Sequence, residues 1–190
     1  MKHTLFIICF LLTFCPIMSQ DTLSTTQTIK EYGEIIKNPN VIVRIVGLDK
    51  FDSTKLKLTK KVIEDNFGFN VRLSNDIFNL KALFVKGTED IDIQQFTDLV
   101  YNDTLTVYLT NHRITDTENS FIVGVTNSGA SSVMLSGNYI ESILSLSTIH
   151  EIGHMYNLSH CENNYCVMSE DCINMENTRF CKKCTDKMYK

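Results

Sequence analysis

Residues 150–160 read HEIGHMYNLSH, and this stretch decides how the chain is interpreted. Its first five residues have the pattern H-E-x-x-H. On a helix, positions four apart lie on one face, so the imidazoles of His150 and His154 can reach one metal ion. Glu151 is offset around the helix and can reach a water molecule beside the metal. The pattern predicts a helix with two metal ligands and a carboxylate base.

A third histidine, His160, follows six residues after His154. A straight helix cannot aim residue 160 at the same metal, so the chain must turn sharply near Asn157. Asparagine is, after glycine, the residue best suited to a left-handed helix stop. Three histidines leave one position of tetrahedral zinc open, which is typical of a catalytic site, with Glu151 as the general base. The alternative is that the three histidines bind no metal. The histidine spacing, the glutamate and the turn residue each argue against it independently.

The sequence after this motif is rich in cysteine. Two close cysteine pairs are separated by a longer loop, and Cys172 lies between them. The pairs are Cys161 with Cys166 and Cys181 with Cys184. Four thiolates suit a tetrahedral structural zinc site. Two disulfides with Cys172 left over satisfy the same count if the protein enters an oxidising compartment, so the residues leave both possibilities open.

The region 150–184 resembles the archaemetzincin family of zinc metallopeptidases, a branch of the metzincins. The similarity rests on the three histidines, a cysteine directly after the third, a Cys-x-Met segment at 166–168 and a final C-x-x-C at 181–184. Segments 121–124 and 133–136 resemble the family's upstream F-x-x-G and sheet-edge segments. The chain departs from the pattern at Asn157, where the motif has glycine. The gap between Met168 and Cys181 is also shorter than is usual in the family and contains Cys172, so the identity of the third cysteine ligand stays open.

The resemblance implies a peptidase with two zinc ions per chain and a peptide or protein substrate. Glu151 would be the catalytic base and acid, and Met168 would lie in a turn beneath the metal. The implied ligands of the catalytic zinc are His150, His154 and His160. The implied ligands of the structural zinc are Cys161, Cys166, Cys181 and Cys184. A metzincin-like substrate cleft would run along the sheet's lower edge strand, for which we expect residues 132–136.

The N-terminus predicts an exported protein. A short basic start and an apolar run from Thr4 to Met18 are typical of a signal peptide, here residues 1–19. The run is short for a transmembrane helix, so we expect a secreted or periplasmic protein with no stable membrane span after cleavage. A retained membrane anchor is the alternative. Residues 20–40 form a polar leader segment.

Composition narrows the function classes further. The chain has 190 residues and a net charge of −4, and it has no Lys/Arg-rich cluster, which argues against nucleic-acid binding. The length suggests one catalytic domain over 41–190, with a Cys-rich subdomain over about 158–190.

Hydrophobic periodicity predicts an α/β fold with a mixed twisted sheet, backing helices, an active-site helix and the small Cys-rich subdomain. Predicted strands cover 41–47, 69–73, 82–85, 105–109, 121–125 and 132–136. Predicted helices cover 54–66, 91–101 and 138–156, with a short one near 35–36. We expect Asn138 to cap the active-site helix, with Glu141 completing a capping box.

Two other functions are compatible with these residues. One is an exported, non-catalytic zinc-binding protein, against which the presence of Glu151 argues. The other is a thiol-redox protein that uses Cys181 and Cys184. It ranks last because a redox C-x-x-C normally lies near a βαβ unit.

Overall fold

The computed structural model describes residues 6–7, 32–48, 50–74, 80–96, 104–116, 120–127, 131–169 and 178–190. Its strands are β1 (Phe6–Ile7), β2 (Ile42–Gly47), β3 (Asn70–Ser74), β4 (Ile91–Asp92), β5 (Leu105–Thr110), β6 (Ile114–Thr115), β7 (Phe121–Ile122), β8 (Gly124–Asn127) and β9 (Ser132–Ser136). Its helices are α1 (Ser53–Phe67), α2 (Ile93–Phe96), α3 (Glu141–Met155) and α4 (Lys182–Met188), with a 3-10 helix at Leu80–Leu83.

The main sheet has six strands in the order β1-β8-β9-β5-β2-β3. β3, β2, β5 and β9 are parallel, whereas β8 runs antiparallel to β9 and β1 antiparallel to β8. A smaller sheet has the order β4-β6-β7. The predicted α/β class with a mixed sheet is confirmed.

The expectation that residues 132–136 form the edge strand is wrong. β9 pairs with β5 on one side and with β8 on the other, and all five of its residues are buried. β8 is the antiparallel strand beyond it, and two residues of β1 pair with its outer side. The sequence was misleading because an interior strand and an edge strand next to a covered surface have similar apolar patterns.

The two faces of the parallel strands pack on different cores. Alternate residues such as Val43, Val107 and Val133 join a core with α1 and α3. Their neighbours, such as Tyr108 and Met134, join a second core with the 3-10 helix, α2 and the small sheet. β5 and β9 are buried on both faces, which fits their largely apolar sequences.

Helix α1 confirms the amphipathic helix predicted at 54–66 and extends it by one residue at each end. The Asp52 carboxylate accepts a hydrogen bond from the Thr54 amide at 2.8 Å and caps the first turn. Gly68 ends the helix with φ +65°, a conformation that glycine adopts without steric cost. Ile63 and Phe67 lie fully buried on the core side, which anchors α1 beside α3.

Several local predictions fail where tertiary contacts outweigh local pattern. The expected strand at 82–85 is a 3-10 turn, and no helix forms at 33–38. The expected helix at 91–101 begins as β4, is helical over Ile93–Phe96, and then leaves the described residues. Segment 121–125 divides between two sheets.

The active-site helix starts later than predicted. Its N-cap is Ile140, without a side-chain cap, and not Asn138. The Gly137 amide donates to Thr110 O at 2.7 Å, so the chain is still attached to the sheet where the helix was expected to begin.

The described part of the predicted leader packs against the C-terminal helix α4. The Gly33 amide donates to Phe180 O at 3.2 Å, and the Ile36 amide donates to Tyr189 Oη at 2.7 Å. Residues 32–40 therefore belong to the folded unit. None of the helices described is both long and apolar enough to cross a bilayer.

Candidate metal centre

The three predicted histidine ligands converge. His150 and His154 are buried on α3, and their Nε2 atoms lie 2.9 Å apart. The His160 ring centroid is 5.4 Å from that of His150 and 5.0 Å from that of His154. One nitrogen from each ring lies within 4.8 Å of the others. Tetrahedral zinc, with Zn–N near 2.0–2.1 Å, needs donors roughly 3.4 Å apart, so the three residues fit one zinc ion.

A turn after α3 brings the third histidine back to this point. Asn157 has φ +57°, the left-handed conformation expected from its sequence. The Asn157 amide donates to His154 O at 2.9 Å and the Leu158 amide to Gly153 O at 3.2 Å. These bonds form the Schellman arrangement, which satisfies the last helical carbonyls and reverses the chain.

Backbone carbonyls orient the two helical imidazoles. The Nδ1 atom of His150 lies 2.7 Å from Val167 O, and that of His154 lies 2.7 Å from Leu158 O. A carbonyl only accepts, so each Nδ1 carries the proton and each Nε2 presents a lone pair to the shared point. The turn at Asn157 thus supplies both the path to His160 and the oxygen that aligns His154.

Burial keeps these imidazoles neutral. Desolvation, with the neighbouring His154 as a further cause, lowers the pKa of His150 from 6.5 to about 3. Desolvation likewise lowers the pKa of His154 to about 4. Neutral imidazole is the form that binds a metal, so the site is prepared for a cation at neutral pH.

Glu151 lies fully buried between α3 and β8. Its Oε2 atom is 2.5 Å from the Thr126 hydroxyl, which is also 2.9 Å from the Glu151 backbone oxygen. Its Oε1 atom has no hydrogen-bond partner among the described residues. Desolvation raises the pKa of Glu151 from 4.5 to about 8, and the Thr126 hydrogen bond opposes that rise. A carboxylate with one oxygen held and the other available is suited to accept a proton.

Met168 lies under the metal-bearing helix, as the resemblance implied. It is fully buried, and a Cβ atom added at Gly153 would come within 2.4 Å of its sulfur. Only a glycine at 153 allows the helix to approach this methionine so closely. Val167, whose carbonyl orients His150, directly precedes Met168 in the chain.

The four predicted cysteines form a second cluster. The Sγ atoms of Cys161 and Cys181 are 3.8 Å apart, and those of Cys166 and Cys184 are 3.7 Å apart. All four lie within 4.8 Å of one another. A disulfide needs about 2.05 Å between sulfurs, whereas thiolates around tetrahedral zinc lie roughly 3.8 Å apart. The spacing fits zinc, and Cys172 lies outside the described residues.

The comparisons with known proteins agree with this geometry. The profile of peptidase family M54 matches residues 21–190. The chain belongs to this family. The archaemetzincin of Methanocaldococcus jannaschii is 48% identical over 44 residues, which are 21% of this chain and 25% of that protein. The archaemetzincin of Sulfolobus acidocaldarius is 40% identical over 60 residues, which are 30% of this chain and 33% of that protein. The predicted archaemetzincin resemblance is confirmed.

Solved M54-like structures share the fold. The archaemetzincin of Archaeoglobus fulgidus, solved with malonate, has TM-score 0.65 at 20% identity, covering 77% of this chain and 99% of its own. That of Methanopyrus kandleri has TM-score 0.66 at 16% identity, covering 82% and 97%. The aligned sequences span only a quarter to a third of the curated relatives, so those sequence matches are local.

Sequence reasoning found the seven candidate ligands and Glu151 but missed their supports. Thr126 lies 25 positions from Glu151, and no spacing rule connects a strand hydroxyl to a helix carboxylate. The carbonyls of Leu158 and Val167 carry no sequence signal because every residue has one. The candidate site is therefore assembled from a local motif and from nonlocal contacts that only the fold supplies.

Proposed function

We propose that this chain is a zinc-dependent metallopeptidase that hydrolyses peptide bonds at the centre formed by His150, His154, His160 and Glu151. The observation that carries the proposal is the meeting of three oriented imidazoles with one buried carboxylate. Zinc in such a site lowers the pKa of a water molecule and polarises the scissile carbonyl. The family description and the archaemetzincin relatives support this activity.

Glu151 is the proton carrier in this proposal. Its free Oε1 atom accepts a proton from the attacking water, and the same carboxyl group returns it to the leaving amine. His150 and His154 stay neutral and unprotonated at Nε2 throughout, because Val167 O and Leu158 O hold their protons at Nδ1.

We place the peptide substrate along the outer edge of β8. In the structure, Phe6 and Ile7 of β1 pair there antiparallel, opposite Thr126 and Val125. The edge therefore accepts a strand, and an extended substrate would bind by the same main-chain hydrogen bonds. β1 falls within the predicted signal peptide 1–19, and we propose that export and signal cleavage free this edge.

A second, structural zinc at the four-cysteine cluster completes the proposal. The Cys166 and Cys184 sulfurs lie 3.7 Å apart, and their hydrogen bond lowers the pKa of Cys166 to about 5 while it raises the pKa of Cys184. Cys166 therefore supplies the thiolate that zinc requires most readily. Zinc bound during folding would protect these thiols from oxidation after export. Cys161 and Cys181 lie in two separate β-bridges, and Cys184 lies on α4. A zinc ion bound by these cysteines would hold the C-terminal subdomain together.

The first experiment is zinc stoichiometry of protein purified without chelators. Two zinc ions per chain, one lost in His154→Ala and the other in Cys184→Ser, are expected, and Cys172→Ser is the control that loses none. No zinc in a folded sample that takes none up on titration would refute the metallopeptidase. One zinc, lost only in His154→Ala, would instead make the cysteines disulfides.

The second experiment separates an enzyme from a non-catalytic zinc protein. Glu151→Gln should keep the metal and abolish hydrolysis of an unstructured protein substrate. Glu141→Gln, on the exposed first turn of the same helix, is the matched control and should stay active. If Glu151→Gln cleaves as well as wild type, the assigned role of Glu151 is wrong.

A further inference from the structure

Thr126 is the polar side chain that meets the carboxyl group of Glu151 in the described structure. It lies on β8, is 1% exposed, and its hydroxyl is 2.5 Å from Glu151 Oε2. The hydroxyl is also 2.9 Å from the backbone oxygen of the same residue. One strand residue therefore contacts both the side chain and the main chain of Glu151.

The neighbouring position on β8 is shaped for the same carboxylate. A Cβ atom at Gly124 would lie 2.9 Å from Glu151 Cγ and 3.0 Å from Glu151 Oε1. Residues 124 and 126 lie on the same face of the strand because side chains alternate. Gly124 thus provides space for the carboxylate, and Thr126 provides its hydrogen bond.

A flexible glutamate without such a contact would sample several rotamers. Its χ3 torsion is broad and roughly two-fold, so the two carboxylate oxygens readily exchange places. With Oε2 held at Thr126, Oε1 is the oxygen that has no hydrogen-bond partner among the described residues. Held in this way, the base meets the water in one orientation.

We propose that Thr126 is a positioning residue that fixes Glu151 by holding Oε2 against β8 and leaving Oε1 for proton transfer. The inference rests on the proposed peptidase activity and adds a residue outside the zinc-binding motif. The role requires a hydroxyl, and a branched apolar side chain of the same shape does not replace it.

The test measures binding of acetohydroxamate to the purified protein with Co²⁺ in place of zinc. The change in the cobalt absorption band reports binding. A hydroxamate chelates the metal and hydrogen-bonds to the neighbouring carboxylate, so its affinity reports the position of Glu151. Thr126→Val should weaken binding about tenfold, and Thr126→Ser should stay within about threefold of wild type. The control is Thr115→Val, which should not change the hydroxamate affinity. Thr115 is another buried strand threonine, and its hydroxyl donates to Ile91 O.

A double-mutant cycle distinguishes positioning from general damage. In a Glu151→Ala background, Thr126→Val should add less than about twofold, because the carboxyl group that Thr126 holds is no longer there. In turnover with a peptide substrate, Thr126→Val should lower kcat about tenfold at unchanged KM. The cobalt content and the urea unfolding midpoint of each variant show whether it is folded. If Thr126→Val does not fold, Thr126→Ala is measured in its place.

Three outcomes would overturn the inference. The first is wild-type hydroxamate affinity and kcat in Thr126→Val. The second is an equal loss in both backgrounds, which would mean a structural role. The third is failure of the wild-type protein to bind Co²⁺ or hydroxamate, which would overturn the proposed function itself and this inference with it.

Discussion

Gly153→Ala tests the packing beneath the metal-bearing helix. In an ordinary helix interior this substitution stabilises by about 1 kcal/mol, because alanine is the better helix former. Here the new Cβ atom would meet Met168 Sδ at 2.4 Å and Phe180 Cε1 at 2.9 Å, both on fully buried side chains. Overpacking of this kind costs about 1–3 kcal/mol. We expect a net destabilisation of about 1 kcal/mol, or a fall in Tm of about 2–4 °C.

The sign should reverse when the methionine is removed. Met168→Ala alone should cost about 2–5 kcal/mol as a core truncation. In that background the methyl group of Gly153→Ala occupies the space that Met168 vacated, and alanine favours the helix. The remaining close contact with Phe180 offsets part of this stabilisation. We expect the second substitution to stabilise by about 1 kcal/mol, a coupling of about 2 kcal/mol between the two sites.

The assay is urea unfolding at saturating zinc, with zinc affinity measured in parallel. Displacement of Met168 should move the Val167 carbonyl that holds His150, so zinc affinity should fall by about tenfold in Gly153→Ala. If Gly153→Ala stabilises the wild-type protein as it would an exposed helix, the contact between Gly153 and Met168 does not exist. A zero coupling energy would lead to the same conclusion.

Three further predictions concern other parts of the site. The first concerns metal-free protein at pH 5–6. Because the pKa values of His150 and His154 are lowered in the folded state, unfolding takes up about two protons. Because the pKa of Glu151 is raised in the folded state, unfolding also releases about one proton. The free energy of unfolding should therefore fall by roughly 1 kcal/mol per unit as pH drops in this window, and about twice as steeply in Glu151→Gln; equal slopes in urea titrations would contradict this. Cys181→Ser should release one zinc ion and leave the histidine site loaded, whereas an unchanged zinc content with one newly titratable thiol would indicate a disulfide. Asn157→Ala should destabilise by about 1 kcal/mol and Asn157→Gly should not, since alanine tolerates φ +57° poorly; equal urea midpoints would refute the strain argument.

The sequence was most informative where function depends on local spacing. Residues four apart on a helix share a face whatever the rest of the fold, so His150 and His154 were predictable as a pair. Asn157 was predictable as a helix stop because its conformational preference belongs to the residue itself. Helix α1 followed from periodicity for the same reason.

The sequence was least informative where contacts between distant segments determine the structure. Strand order depends on which strands pair, and the apolar run of β9 does not distinguish an interior strand from an edge strand. The cap expected at Asn138 failed because the preceding Gly137 still bonds to β5. The contact of Thr126 with Glu151 joins residues 25 positions apart and appears only once β8 lies beside α3.

In the proposed function, β8 connects substrate binding with catalysis. Its outer edge pairs with β1 through the main chain. On the side facing α3, Gly124 leaves space for the carboxylate of Glu151 and Thr126 hydrogen-bonds to it. Val125, between them, points to the opposite core and anchors the strand. A peptide paired with β8 as we propose would therefore be positioned by the same strand that positions Glu151. Because neighbouring strands lie about 4.8 Å apart, the proposed substrate path and the base keep a fixed separation, and substitutions that shift β8 should alter binding and turnover together.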